Sequence, residues 1–177
     1  VYSKYEEITL EVNEPKVVIG YKINIGKIKD KLKARLCLEM LLSENFDKTG
    51  KSFLRLIENN LPRFEYSVEE CDNYFIVYFT ASTSEHELFA KIIDEELQSL
   101  DFNLESLNRK RKSLISGLIL QFEDIVNVED TITGNLFMYN KIINNMESIV
   151  KSITLKEIKN ISNLININNK SLLIEKE

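Results

Sequence analysis

The order of hydrophobic periods along the chain constrains the fold more than any single residue does. Residues 17–23 form a near-continuous apolar strand, which suggests burial on both faces. Leu32, Leu36 and Met40, flanked by Cys37 and Leu41, then repeat with helical spacing, and residues 47–50 break that helix. Phe53, Ile57 and Leu61 give a second, short helix stopped by Pro62. Phe64, Tyr66 and Val68 alternate, and residues 74–79 are strongly β-prone. Asp72 and Asn73 between those runs tolerate a left-handed turn, so the two runs read as a hairpin. Ser84 and Glu87 have the spacing of a capping box. The helix they would open carries Leu88, Phe89, Ile92, Ile93, Leu97 and Leu100 on one face.

A long helix follows over about 104–122, with Leu107, Leu114, Ile115, Leu118 and Ile119 inward. Ile132, Leu136, Phe137 and Ile143 continue as helix. Thr154 and Glu157 form a second capping box, ahead of Leu155, Ile158, Ile161 and Leu164. Residues 171–174 read as a closing strand. A strand, two helices, a hairpin, several helices and a strand predict an α+β fold. Its natural packing is two-layered, an antiparallel or mixed sheet with helices on one face. Ile8, Leu10 and Val12 alternate ahead of Pro15, so residues 1–13 read as an extended arm, linker or edge strand, and 14–177 as a single α/β lobe.

A chain of 177 residues can bury one full core. Its 44% hydrophobic and 29% charged content fits a soluble globular protein. A net charge of −5 offers no global attraction to nucleic acid or to an anionic membrane, and neither is expected as a partner. No run reaches the roughly 18 apolar residues of a membrane span, and no secretory signal is visible, so the cytoplasm is the default expectation. Two cysteines are too few for a disulfide framework. Cys37, inside an apolar helical pattern, reads as a buried free thiol.

The residues that could carry chemistry are few. His86 is the only histidine, and a zinc site built on paired histidines on one helix face cannot be written from one. Gly50-Lys51-Ser52 ends like a phosphate loop, but Asn45 stands where that loop needs its first glycine, and a helix precedes it where a strand belongs. Residues 109–112 (Arg-Lys-Arg-Lys) point around most of a helical turn and read as a solvated face. The acidic clusters Asp94-Glu95-Glu96 and Glu69-Glu70 also read as solvated.

Three segments carry a resemblance when taken in order: KVVIGYKINI (16–25), KSFLRLIENNLPRFEYSV (51–68) and ITLKEIKNISNL (153–164). Together they resemble the second, non-catalytic repeat of the insulinase/pitrilysin family of inverted-motif zinc peptidases. They are similar in particular to its small bacterial members and to mitochondrial processing peptidase subunits. The resemblance implies one of two lobes that clamp an unfolded peptide, with zinc held by the other lobe and no cofactor in this one. The implied partners are a catalytic zinc-binding lobe, in cis or in trans, and an extended peptide. The implied function is a substrate-positioning lobe that is no enzyme on its own, with a purely structural or assembly lobe as the alternative. Tyr66 matches the substrate-contacting tyrosine of many relatives. Ile57 stands where their arginine is expected, and Arg55, two residues earlier and pointing elsewhere on the helix, is the second substrate-binding candidate.

Overall fold

The computed structural model describes residues 4–9, 14–123 and 125–176. Its backbone forms two compact units, one of residues 1–101 and 156–177 and the other of residues 102–155. The first unit holds β1 (Tyr5–Thr9), β2 (Lys16–Asn24), α1 (Lys31–Phe46), α2 (Lys51–Glu58), β3 (Phe64–Cys71), β4 (Tyr74–Ser82) and α3 (His86–Gln98). The second holds α4 (Leu104–Gln121), α5 (Ile125–Tyr139) and α6 (Met146–Ser152). The chain returns to the first unit through α7 (Leu155–Ser162) and β5 (Lys170–Lys176).

The five strands make one mixed sheet in the order β1-β5-β2-β4-β3. β1 runs parallel to β5, and every other neighbour is antiparallel. The described part of the N-terminal arm is therefore an edge strand. Leu10 and Val12 lie outside the described residues.

Strand periodicity explains why one sheet face is the core. Val17, Ile19, Tyr21 and Ile23 of β2, with Phe75, Val77, Phe79 and Ala81 of β4, are buried. Each buried Val, Ile or Phe among them stabilises the fold by about 1.5–3 kcal/mol. From α1, Phe46 packs on Phe79 with ring centroids 4.8 Å apart, and Phe89 of α3 lies 6.4 Å from Phe64. Tyr21, only 1% exposed, donates its hydroxyl hydrogen to Asp94 Oδ1 at 2.8 Å, and Lys170 of β5 pairs with the same carboxylate. The layered α+β expectation is met.

Several local expectations are corrected. β2 is not buried on both faces. Val18, Gly20 and Lys22 are half-buried on the opposite face, because the sheet of this unit alternates one row inward and one outward. Tyr78 covers Gly20 across the strand pair, and a Cβ there would sit 3.3 Å from its ring. The Ser84–Glu87 capping box does not form, and α3 starts at His86 with no side-chain cap. The ladder continues instead to Thr83, whose N–H donates to Pro15 O at 2.9 Å. The Thr83 hydroxyl then accepts from Glu85 N at 3.0 Å, a local turn that competes with a cap. α2 turns Leu56 inward and leaves Ile57 42% exposed. That helix ends before Pro62, at Asn60 in the left-handed region (φ 58°), with Leu61 N bonded to Leu56 O at 2.9 Å.

In the second unit Leu107 is buried, while Ile119 is exposed rather than inward. Ile143 lies beyond the end of α5, since Asn140 turns the chain out of the helix at φ 52°. Arg111 is not part of a fully solvated face: it donates to Ile153 O through Nη2.

Candidate functional site

β3 is the last strand of the sheet, and among the described residues no other strand pairs with its outer side. Beside it lies an open groove of about 720 Å³, lined by Phe46, Asp47, Lys48, Thr49, Phe53, Phe64, Glu65 and Tyr66. Local sequence builds this groove. Phe64 and Tyr66 are two apart on β3, so both side chains fall on the helix-bearing face. α1 delivers Phe46 from its last turn, and α2 delivers Phe53 from its first. Phe53 and Phe64 rings lie 5.7 Å apart, Phe46 and Tyr66 6.1 Å.

The wall between α1 and α2 is a tight loop. Gly50 N donates to Asp47 O at 2.6 Å. Only glycine fits at position 50, because a Cβ would lie 2.0 Å from the Asn45 carbonyl oxygen. Asn45 is itself buried and fixed, donating to Leu41 O and Asp101 O and accepting from Asp101 N. The glycine of Gly50-Lys51-Ser52 thus serves helix packing. The Ser52 hydroxyl is buried and donates to Glu96 Oε2 at 2.7 Å.

The structure places Tyr66 and Arg55 in different settings. Tyr66 lines the groove and donates its hydroxyl hydrogen to Asp47 Oδ1 at 2.7 Å. Burial first, then the Asp47 bond, pushes its phenol well above the usual range, so it stays a neutral donor. Arg55 points into the α2–α3 seam, where Nη1 donates to Glu96 Oε1 at 2.7 Å and Nη2 pairs with Glu95. Tyr66 is held by Asp47, and Arg55 by Glu95 and Glu96. Glu96 is 2% exposed, so part of the Asp94-Glu95-Glu96 cluster is buried and paired rather than solvated. Burial opposes its charge, but bonds from Arg55 and Ser52 outweigh that and hold its carboxyl below the ordinary value.

Among the described residues no three His, Cys, Asp or Glu side chains come together to hold a metal ion. Cys37 is buried and Cys71 exposed, both as free thiols. Burial, then Glu157, pushes the Cys37 thiol up to about 12, which makes it a poor nucleophile. No helix among the described residues is long and apolar enough to cross a membrane. The sequence reading passed over Phe46, Phe53, Phe64 and Asp47 as site residues. The visible signal was the strand alternation that puts Phe64 with Tyr66.

Solved structures share this architecture. A protein from Alicyclobacillus acidocaldarius described as an M16-like peptidase aligns with a TM-score of 0.79 at 12% identity, over 97% of this chain and 43% of its own. The chain has the fold of an M16-like peptidase lobe. A protease from Helicobacter pylori aligns at 0.74 and 13% identity, over 98% of this chain and 44% of its own. This chain therefore spans less than half the length of those two proteins. A Bordetella parapertussis structure, described as the inactive peptidase domain of a candidate zinc protease, matches nearly end to end. It gives a TM-score of 0.73 at 13% identity, over 94% of this chain and 92% of its own. No family model and no curated protein matches the sequence.

Proposed function

We propose that this chain is the non-catalytic, substrate-positioning lobe of an insulinase-family zinc endopeptidase. Its partners are then a zinc-binding catalytic lobe, in cis or in trans, and an extended peptide, and it hydrolyses nothing alone. The observation that carries this reading is an unpaired sheet edge beside an aromatic groove, on the fold of an M16-like lobe. An edge of this kind takes an extended peptide by strand addition, with main-chain bonds giving affinity. Tyr66 would hold the groove's shape, while Arg55 would brace the lobe. The zinc belongs to the partner lobe in this proposal, and a cytoplasmic setting agrees with two unpaired cysteines.

The alternative is a structural or assembly lobe. It is favoured by Arg55, whose guanidinium is committed to Glu95 and Glu96, and by Ile57 at the position where the resemblance places an arginine. Hydrolysis of quenched fluorogenic peptides separates the readings. Activity only when this chain is combined with a zinc-bearing lobe of the same protein or complex supports the positioning role. Activity from this chain alone overturns it. Full activity of the zinc lobe without this chain leaves the assembly reading.

A further inference from the structure

The backbone directions at the β3 edge can be worked out from the ladder. Thr83 N donates to Pro15 O, and Ile25 N to Asn73 O. The odd residues of β2 and β4 therefore face one another. Backbone groups alternate along an antiparallel strand, so the even residues of β4 serve the odd residues of β3. The even residues of β3 must point outward. Val68 agrees, since its carbonyl accepts from Arg35 Nη2 of α1 at 3.4 Å. Arg35 is itself held by Glu39 at 2.9 Å, and it caps the edge at Val68. Phe64 and Tyr66 carry no such cap among the described residues, so the available edge is the N-terminal half of β3, alongside the groove.

Side chains on that edge form two rows of opposite chemistry. On the helix side stand Phe64 and Tyr66, facing Phe46 and Phe53. On the other side stand Glu65, Ser67 and Glu69, all exposed. Neither Glu65 nor Glu69 has an ion-pair partner among the described residues, whereas Asp47 is bonded to Tyr66. Lys48 lies on the groove side, and Arg63, just ahead of β3, lines the opposite face with Glu65 while pairing with Glu14 at 3.4 Å.

We infer that this edge selects an extended segment alternating large apolar residues with lysine or arginine. The apolar side chains enter the aromatic groove, and the basic ones lie on the opposite face against Glu65 and Glu69. This selectivity rests on the peptide-binding reading above and names the class of peptide it takes. A strand laid beside β3 must present alternate residues to the two rows. Opposite charges directly across two strands attract and like charges repel, so basic residues are favoured on the acidic row and disfavoured beside Lys48. A one-residue slip would expose every apolar side chain, so the two rows also fix the register.

The test is fluorescence anisotropy of labelled peptides with this chain. One peptide alternates phenylalanine or leucine with lysine. A second replaces each lysine by glutamate, a third scrambles the first, and a fourth N-methylates the backbone that would pair with β3. The lysine peptide should bind about tenfold tighter than the glutamate peptide, an effect sized for two cross-strand charge pairs. Scrambling or N-methylation should abolish binding. Charge reversal by Glu65→Lys with Glu69→Lys should invert the order of the lysine and glutamate peptides. Glu65→Gln with Glu69→Gln should level them, and circular dichroism confirms that both variants fold. Equal binding of the lysine, glutamate and scrambled peptides, all weakened by N-methylation, would leave strand addition standing and sink the selectivity. Binding unchanged by N-methylation and by charge reversal would place the peptide elsewhere and overturn the inference. No binding of any peptide would sink both readings and make β3 a charge-protected edge.

Discussion

Two acidic stretches of the first unit, similar in composition, behave in opposite ways. In the α2–α3 seam, Glu96 is buried between Arg55 and Ser52. On β3, Glu65 and Glu69 flank Ser67 on the exposed face, and neither has an ion-pair partner among the described residues. The seam carboxylate is part of the fold, since its charge is desolvated and must be compensated from inside. The edge carboxylates cost the fold little and remain available to a partner. What separates the two is the packing around each carboxylate, and residue type alone does not reveal it.

Breaking the seam should give the largest effect. Arg55→Met leaves Glu96 with the Ser52 bond alone and should cost about 3 kcal/mol. That is the low end for breaking a buried pair, because Arg55 is itself partly exposed. Denaturant titration measures it. The same pair sets a pH dependence. The Glu96 carboxyl is held below its ordinary 4.5 in the folded state. Its contribution is therefore present above that pH and is lost as pH falls through the lower folded value. The stability gap between the parent and Arg55→Met should narrow in melts taken below pH 4.5. An unchanged gap would mean that Arg55 does not compensate Glu96.

The loop joining the seam to the groove comes next. Gly50→Ala pushes a methyl group against the Asn45 carbonyl and should cost about 2 kcal/mol through overpacking of a fixed backbone. A variant as stable as the parent would show that the loop yields. Tyr66→Phe keeps the ring in the groove and removes the bond to Asp47, for a loss of about 1 kcal/mol. The smallest effect belongs to the edge. Glu65→Lys should move the unfolding midpoint by no more than the equivalent of about 0.5 kcal/mol, as at other exposed positions. A larger loss would show that the edge acid supports the fold after all, and the contrast between the two regions would fail.

The hairpin was legible in the sequence because its signals are local: Phe64, Tyr66 and Val68 alternate, and Asp72 takes the left-handed turn at φ 44°. Tyr66 was found through family resemblance, and the structure gives it a groove. Arg55, two residues before the expected arginine position and so on another side of the helix, turns its guanidinium to α3. The capping box at Ser84 was misread because Thr83 competes for the same backbone. The inward face read for α4 holds at Leu107 and fails at Ile119, which is exposed.

Local patterning sets the order of elements and the layered α+β class, while β2, read as buried on both faces, is buried on one. Periods of two and 3.6 residues are written into neighbouring positions such as Phe75, Val77 and Phe79. Tertiary packing puts β3 at the rim of the sheet, lets Arg35 cap part of it, and buries Glu96 but not Glu65. The physical reason is distance along the chain. Arg55 and Glu96 are 41 residues apart, and Arg35 and Val68 are 33 apart. Such pairs are set by how elements pack, and local sequence patterns carry no record of them.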